Sequence, residues 1–278
     1  MINVKNLTFG YRGRARLYND FSLSLGAGRI YGLLGSNGTG KSTLLKLICG
    51  VLTPKSGSVE VGGNHSNARN IETLRTIAIV PEEFSLPNVS VEEYAHLTAP
   101  FYPTFDHNVF RRALAEFGVD GGQKFGRMSM GQRKKGLIAF AMACCTPILI
   151  LDEPTNGLDI TSKITFRRLL AEWATPERTA IISTHQVKDV ENLLDHIVII
   201  DHRGLVLDAP TYEISSRLRF SVEADADGAL YSQPSLGGYS TVRENTTAEE
   251  SSIDIEMLFG AATSAPAELK RILNPSTK

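Results

Sequence analysis

Apolar and polar residues alternate at the start of the chain, and this pattern predicts strands in INVKNLTF and DFSLSLGAG. A third stretch, RIYGLLG, is almost entirely apolar and leads into a glycine-rich sequence. After it, STLLKLICG has its apolar residues at helical spacing. Two more short strands are predicted at SGSVEVGG and TIAIVPEE. The chain therefore begins with a β-rich segment, to about residue 31, followed by a strand, a loop and a helix.

Residues 87 to about 127 follow a helical pattern instead. VSVEEYAHLTAP and HNVFRRALAEFGVD place their apolar residues on one face, with Pro, Gly and Asp between the two stretches. The apolar run GLIAFAMACCTPILIL continues with a buried helix, a break at Pro147 and a buried strand, and it is too short and interrupted to cross a bilayer. We predict a helical insert over about 87–145 and no membrane-spanning segment.

Short apolar strands alternate with helices from residue 147 to residue 209. The strands are predicted at PILILDEP, TAIISTH and HIVIIDHRGLVLD, and the helices at KITFRRLLAEWA and VKDVENLLD. This alternation predicts a parallel sheet with helices on both faces.

The last segment, residues 212–278, has a different composition, richer in Ser, Thr, Ala and Glu. It contains two candidate strands, RFSVEA and YSTVREN, and a candidate helix at IDIEMLFGAA. We predict a small α+β appendage, which either senses a ligand or holds a dimer together, or else packs on the rest of the chain for stability.

The amino-acid composition indicates which kinds of partner and which redox compartment to expect. The 29 Lys and Arg residues against 30 Asp and Glu give a formal net charge of -1. Because proteins held to nucleic acid by a broad basic surface are usually more basic, we expect no nucleic-acid partner. Cys49, Cys144 and Cys145 lack metal-ligand spacing and lie in apolar context, which indicates core thiols in a reducing compartment. The N-terminus lacks the uninterrupted apolar region of a signal peptide.

The glycine-rich stretch GSNGTGKST, residues 35–43, fits the pattern G-x-x-x-x-G-K-[ST] of a phosphate-binding loop. Gly38 and Gly40 would let the loop wrap around phosphate oxygens. Lys41 would reach the β- and γ-phosphates, and the hydroxyl of Ser42 suits Mg²⁺. A plain Gly/Ser turn before a helix is the alternative, but the preceding strand favours a phosphate site. The loop's other candidate ligands are Gly35, Ser36, Asn37, Thr39 and Thr43.

A second acidic motif, ILILDEP, ends a buried apolar strand. A carboxylate in such a position is costly unless a cation lies beside it, which makes Asp152 a candidate for holding Mg²⁺ directly or through water. Glu153 follows it and would polarise a water molecule for attack on the γ-phosphate. The alternative is an acidic pair that caps a helix. The presence of a phosphate-binding loop in the same chain favours the metal and catalytic roles over this alternative.

The stretch MSMGQRKK, residues 128–135, resembles the LSGGQ signature of the ATP-binding cassette (ABC) ATPases. The resemblance continues in family order through residues 1 to about 210. Tyr11 lies where the family has its adenine-stacking aromatic residue, NGLD (156–159) matches the D-loop, and STH places His185 at the switch histidine. Each motif is weak alone, but their common order is specific.

The resemblance implies an α/β fold: a P-loop NTPase core with a mostly parallel sheet, an N-terminal antiparallel β subdomain and the helical insert. The ABC ATPase domain would span residues 1–211 and the appendage residues 212–278. Such an ATPase uses ATP and Mg²⁺ and acts as a head-to-tail dimer with a second cassette, either another copy or a related chain.

In that dimer each nucleotide lies between the phosphate loop of one cassette and the signature of the other. Ser129 and Gly131, together with Gln132, would meet the γ-phosphate at the positive end of a helix. His185 would contact the γ-phosphate and the surroundings of the attacking water, and Asp159 would link the two sites.

Two residues depart from the family pattern. Met130 replaces the first glycine of the signature pair, where a side chain can point away from the phosphate. Glu82, in AIVPEEF, stands where the family usually has a glutamine that contacts Mg²⁺ and the attacking water. A carboxylate remains a good hard-metal ligand, so the expected metal-binding residues are Ser42, Glu82 and Asp152. The basic residues Arg133, Lys134 and Lys135 either attract phosphate or lie on the surface.

Two functions fit the sequence. The first is the energy-supplying subunit of a transporter, peripheral on the cytoplasmic face of the membrane, with integral-membrane subunits on separate chains. The insert and the short signature look most similar to exporter-type cassettes, including those linked to peptide antibiotics or drugs. The second is a soluble ABC ATPase acting on ribosomes or DNA. It fits less well, because such members usually carry two cassettes or long coiled coils.

Overall fold

The strands form three sheets in the part of the chain that the structure describes. The computed structural model describes residues 1–247 and 249–273. The strands of this part are, in chain order, β1 (Ile2–Phe9), β2 (Tyr18–Leu25), β3 (Ile30–Leu34), β4 (Ser56–Val61), β5 (Asn64–His65), β6 (Ile77–Val80), β7 (Ile148–Asp152), β8 (Thr179–Thr184), β9 (His196–Asp201), β10 (Gly204–Pro210), β11 (Leu218–Glu223), β12 (Tyr231–Ser235) and β13 (Gly238–Glu244).

Helices connect and cover these strands. They are α1 (Lys41–Ile48), α2 (Ile71–Leu74), α3 (Val91–Thr98), α4 (His107–Phe117), α5 (Met130–Ala143), α6 (Ile160–Trp173), α7 (Thr211–Arg217), α8 (Ile255–Ser264) and α9 (Pro266–Leu273). The predicted mixed α/β fold is confirmed.

The central sheet has six strands in the order β10-β9-β3-β8-β7-β6. Strands β9, β3, β8, β7 and β6 are parallel, and β10 returns antiparallel beside β9. Every residue of β3, β7 and β8 is buried, as expected for parallel strands covered on both faces. Ile150 faces one hydrophobic core, whereas its neighbours Leu149 and Leu151 face the other. Because β3, β7 and β8 are parallel neighbours, their carboxyl ends lie at the same edge of the central sheet.

A second sheet, in the order β2-β1-β4-β5, is antiparallel throughout. Its apolar residues, among them Val4 and Leu23, share a core with α1 and one face of the central sheet. The N-terminal strands predicted from the alternating pattern are confirmed, and so is the antiparallel β subdomain that the resemblance implies.

Helices α3, α4 and α5 lie where the helical insert is predicted. Ser90, Asp106 and Ser129 cap their N-termini by accepting backbone N–H bonds, and Gly118 ends α4 with a left-handed φ of 63°. Helix α5 and β7, separated by a break near Pro147, match the predicted buried helix and buried strand.

The C-terminal segment contains a three-stranded antiparallel sheet, β11-β13-β12, and the helices α7, α8 and α9. The predicted strands at RFSVEA and YSTVREN and the predicted helix at IDIEMLFGAA are confirmed. Strand β12 and helix α9 were not predicted. Leu218, Leu258 and Leu269 belong to the same hydrophobic core as Leu149 and Leu151 of the central sheet. The predicted end of the ABC domain, between residues 211 and 212, falls in the first turn of α7.

The predicted helix at VKDVENLLD is wrong. The segment forms two short 3₁₀ turns, Val187–Asp189 and Glu191–Leu193, separated by Val190 at φ −135° and ψ −3°. The carbonyl of Asp189 accepts a bond from Arg167, and Leu194 packs directly on Gly32 of β3. These tertiary contacts tie the segment to α6 and to the central sheet, and they favour the two short turns over a regular helix.

No helix in the described ranges is long and apolar enough to span a bilayer. Cys49 and Cys144 are buried and Cys145 is half-buried, all as free thiols. Burial raises the pKa of Cys49 to about 12, as expected for unreactive core cysteines.

Candidate functional site

The glycine-rich loop connects the end of β3 to the start of α1. Gly38 and Gly40 adopt left-handed backbone conformations, at φ 83° and 105°, that other residues rarely take. A Cβ atom on Gly40 would lie 2.6 Å from the hydroxyl oxygen of Tyr18. Glycine at position 40 is therefore required both by the turn and by the close approach of β2.

Lys41 is buried at the first position of α1. Its Nζ donates to the carbonyl oxygens of Gly35 at 2.6 Å and Ser36 at 3.2 Å. Burial lowers the pKa of the ammonium, and the nearby carboxylates of Glu153, Asp152 and Glu82 oppose that shift. A partly desolvated cation at the N-terminus of a helix is suited to bind an anion.

A cleft of about 610 Å³ opens beside this loop. It brings together several predicted residues from distant parts of the sequence: Tyr11, Asn37, Gly38, Gly40, Lys41, Ser42, Thr43, Glu82, Glu153 and His185. Tyr11 is 40% exposed, which leaves its ring accessible, and its hydroxyl lies 3.1 Å from that of Thr43. Gly35, Ser36 and Thr39 belong to the same loop but are not among the described residues that line the cleft. Within the loop, the Thr39 hydroxyl donates to the Ser36 carbonyl at 2.9 Å.

Glu153 lines the cleft and is held through both its backbone and its carboxylate. Its N–H donates to the Ser183 carbonyl at 2.8 Å, and its own carbonyl accepts from Lys134 Nζ at 2.8 Å. Its carboxylate Oε1 accepts from the backbone N–H of His185 at 3.1 Å and lies 2.7 Å from His185 Nδ1. A buried carboxylate paired with an exposed histidine ring can take a proton from a water molecule.

Asp152 ends β7 directly before Glu153 and is 4% exposed. Its Oδ1 accepts a bond from the Ser183 hydroxyl at 2.8 Å. The described residues contain no group of three or more His, Cys, Asp or Glu side chains arranged around a metal. Magnesium in nucleotide sites is usually held by one or two carboxylates together with substrate phosphates. The hard oxygen donors of Ser42, Asp152 and Glu82 fit such a site.

The signature residues lie away from this cleft, at the N-terminus of α5. Ser129 and Gln132 form a capping box, in which the Ser129 hydroxyl accepts from the Gln132 N–H at 3.2 Å and Gln132 Oε1 accepts from the Ser129 N–H at 3.0 Å. The Ser129 hydroxyl keeps its own hydrogen free to donate. A Cβ atom on Gly131 would lie 2.8 Å from the Gly157 carbonyl oxygen, whereas Met130 is 59% exposed.

Asp159 caps α6. Its carboxylate accepts from the N–H of Ser162 at 2.8 Å and from the Ser162 hydroxyl at 2.9 Å. These bonds, chiefly the one from the Ser162 backbone N–H, hold the pKa of Asp159 below its usual value. Beside it, Ile160 is 79% exposed and Ile164 is 53% exposed. This end of α6 presents an apolar surface next to the signature.

Sequence reasoning missed two sets of residues at the site. Arg14 and Arg16 line the cleft beside Tyr11, and the only signal for them was the density of arginine in YRGRAR. Lys134 was expected either to attract phosphate or to lie on the surface, and the surface alternative is wrong, because Lys134 is 3% exposed and donates to the backbone carbonyls of Glu153 and Asn156.

The chain is similar in sequence and fold to known proteins. The family model described as ABC transporter matches residues 18–156, half of the chain. Bacitracin transport ATP-binding protein BcrA of Bacillus licheniformis is 31% identical over 227 residues, covering 80% of this chain and 74% of the relative. Lantibiotic transport ATP-binding protein SrtF of Streptococcus pyogenes is 27% identical over 78% of this chain and 94% of its own length.

A solved ATP-binding subunit of an ABC transporter has a similar fold, with a TM-score of 0.68, 26% identity, and coverage of 77% of this chain and 91% of that one. The chain belongs to the ABC transporter family, as one of its ATP-binding subunits. It is an ATPase whose hydrolysis of ATP serves transport. The resemblance drawn from the motifs is confirmed.

Proposed function

We propose that ATP binds in the cleft between Tyr11 and the glycine-rich loop. The base stacks on the exposed Tyr11 ring, the loop residues 35–43 surround the phosphates, and the Lys41 ammonium faces the β- and γ-phosphates. Left-handed glycines and a buried cation at a helix N-terminus support this assignment. Ser42, Asp152 and Glu82 would hold Mg²⁺, which when bound would offset the phosphate charge.

Glu153 acts as the general base and His185 holds it. The observation that carries this proposal is the Glu153–His185 contact of 2.7 Å in the same cleft as Lys41. The carboxylate takes a proton from the attacking water, while the His185 ring keeps it in place and contacts the γ-phosphate.

The complete site needs a second cassette. Ser129, Gly131, Gln132 and Asp159 are not among the residues that line the cleft in the described part of the chain. The exposed Ser129 hydroxyl can donate to the γ-phosphate of another copy, or of a related cassette, bound head to tail. The exposed Ile160 and Ile164 would be covered by such a partner. ATP binding closes this dimer and hydrolysis weakens it.

The cassette powers transport through integral-membrane subunits on separate chains and lies peripherally on the cytoplasmic face of the membrane. We assign residues 1–211 to the ATPase domain, residues 212–278 to the appendage, and the surface between the 87–145 insert and Glu82 to the contact with the membrane subunits. The relatives named for bacitracin and lantibiotic transport support export of a peptide antibiotic or drug.

Glu153→Gln tests this proposal, because it keeps ATP binding but removes the base. We expect ATP hydrolysis to fall about 10²–10⁴-fold and the ATP-bound dimer to accumulate. Glu177→Gln, an exposed glutamate outside the cleft, is the matched control and should hydrolyse ATP like the wild type. The tagged Glu153→Gln protein is then purified with ATP from detergent-solubilised membranes of its native cell, and co-purifying proteins are identified.

Stoichiometric recovery of a multi-spanning membrane protein supports the transporter function and identifies the partner. Lys41→Ala, which should not bind ATP, sets the background for the ATP-trapped complex. Recovery only from the soluble fraction, with ribosomes or nucleic acid, contradicts the proposal and favours the soluble ATPase.

A further inference from the structure

Lys134 is a buried lysine in the signature stretch, and the resemblance to the family assigns it no role. It lies in the second turn of α5 and is 3% exposed. Burying an ammonium is costly unless it is hydrogen-bonded. Its Nζ donates to the carbonyl oxygens of Glu153 at 2.8 Å and Asn156 at 3.0 Å. Both acceptors lie outside its own helix, in the segment that joins β7 to α6.

One of these acceptors belongs to a residue with an unusual backbone. Glu153 has a φ of 47°, in the left-handed region that non-glycine residues occupy at a cost of about 1–3 kcal/mol. Such a conformation persists only where neighbouring groups hold it. For Glu153 these groups are the Ser183 carbonyl, which accepts its N–H at 2.8 Å, and two donors to its carbonyl, the Lys134 ammonium at 2.8 Å and the Asn156 N–H at 3.3 Å.

We propose that Lys134 is a positioning residue for Glu153: its ammonium fixes the left-handed peptide that directs the Glu153 carboxylate into the nucleotide cleft. This inference rests on the proposed catalytic role of Glu153. It also gives α5 a second function, because the same helix presents Ser129 at its N-terminus. Lys134 thus connects the signature, which serves the partner's nucleotide, to the catalytic segment that serves the chain's own nucleotide.

The charges around Lys134 agree with this role. Burial lowers the pKa of its ammonium, and the carboxylates of Glu82, Glu153 and Asp152 oppose that shift. Lys134 therefore lies close enough to the three acidic residues of the site for their charges to act on its ammonium. The site contains two buried lysines: Lys41, which donates to the Gly35 carbonyl in the glycine-rich loop, and Lys134, which donates to the Glu153 carbonyl.

A double-mutant cycle between Lys134→Met and Glu153→Gln tests the proposal. Methionine fills a similar volume but donates no hydrogen bond. We expect Lys134→Met to lower kcat about 10- to 100-fold, a part of the ~10²–10⁴-fold that a placed general base contributes, with KM changed less than about 3-fold. In the Glu153→Gln background the same change should alter the residual single-turnover rate less than about 3-fold, because the carboxylate it places is already absent.

Rates are expressed per nucleotide-binding molecule, from titration with a fluorescent ATP analogue, so that partial unfolding does not count as lost catalysis. Lys270→Met, an exposed lysine on α9, is the control and should keep the wild-type kcat. If Lys134→Met does not fold, Lys134→Gln, which keeps an N–H donor, replaces it and should give an intermediate loss of kcat.

Wild-type kcat in the folded Lys134 variant overturns the proposal, and so does an equal loss with and without the Glu153 carboxylate. A Glu153→Gln protein that hydrolyses ATP at the wild-type rate contradicts the catalytic assignment itself, and with it the role of Lys134. If Lys134→Met keeps the wild-type kcat while Glu153→Gln is strongly impaired, only the positioning role of Lys134 is contradicted, and the catalytic role of Glu153 stands.

Discussion

A single residue, Glu82, carries the largest chemical departure from the family pattern. It is exposed and lines the nucleotide cleft together with Lys41, Ser42 and Glu153. As an oxygen donor it would serve Mg²⁺ in the proposed site, where its negative charge would lie beside the bound phosphates. The carboxylate of Glu82 is therefore expected to adjust metal affinity rather than to perform the chemistry.

Glu82→Gln should accordingly retain Mg²⁺-dependent ATPase activity. We expect kcat within about 5-fold of the wild type, because the amide oxygen still offers a hard ligand while the general base is untouched. The Mg²⁺ concentration for half-maximal activity should shift measurably in a steady-state titration. Glu83→Gln, the exposed neighbour, should shift neither value. Loss of all Mg²⁺-dependent turnover in Glu82→Gln would show that the carboxylate itself is required.

Residues of the site differ in how far the sequence alone could identify them. Lys41, Asp152 and Glu153 could be predicted because their chemistry depends on local spacing at the ends of β3 and β7. Lys134 could not, because its side chain enters the interior only through the packing of α5 against the 153–156 segment. A basic run on a helix gives no sign of which of its members points inward.

Helices and strands also divide into those that local sequence determines, which could be predicted, and those that depend on tertiary contacts, which could not. Helices with a clear N-cap residue and a periodic apolar face, such as α3 and α4, are where the pattern predicts them. Strand β12 was missed because it is polar, contains Pro234 and lies at a sheet edge, where proline is tolerated. The helix predicted at VKDVENLLD does not form, because the tertiary contacts of Asp189 and Leu194 with the rest of the chain favour another conformation.

The N-terminus of α5 combines a structural cap with a proposed ligand contact, and a matched pair of serines separates the two. Ser129 caps α5 and Ser90 caps α3 in the same way, each accepting the N–H of the residue three positions later. Replacing either by alanine should lower the free energy of unfolding by about 1 kcal/mol. Only Ser129→Ala should also reduce ATPase activity and the ATP-dependent dimer, measured by size-exclusion chromatography in the Glu153→Gln background.

Equal ATPase activity in the two serine variants, at equal stability, would mean that Ser129 serves only as a cap. Reduced dimer formation in Ser90→Ala would instead indicate that helix stability in the insert, rather than a contact with phosphate, controls assembly.

At the scale of the whole molecule, the C-terminal segment is joined to the cassette by a shared core. Helix α8 lies against β9 and β10, and Leu258 is fully buried in the core that also contains Leu149. The Lys188–Glu256 ion pair at 3.0 Å connects α8 to the segment that follows His185, although both side chains are largely exposed and such pairs contribute little. Apolar packing therefore dominates this contact, which favours a stabilising role for the appendage.

That role predicts a single cooperative unfolding transition, sensitive to the core of the appendage. Leu258→Ala should lower the free energy of unfolding of the whole chain by about 2–5 kcal/mol, because it leaves a cavity in a shared core. Leu236→Ala, in the same segment but at a side chain that is 100% exposed, should change it by less than about 0.5 kcal/mol. Denaturant unfolding is followed by circular dichroism and by loss of nucleotide binding. Coincident shifts of both signals in Leu258→Ala indicate one cooperative unit, since a separately folding appendage would lose structure while ATP binding kept its wild-type midpoint.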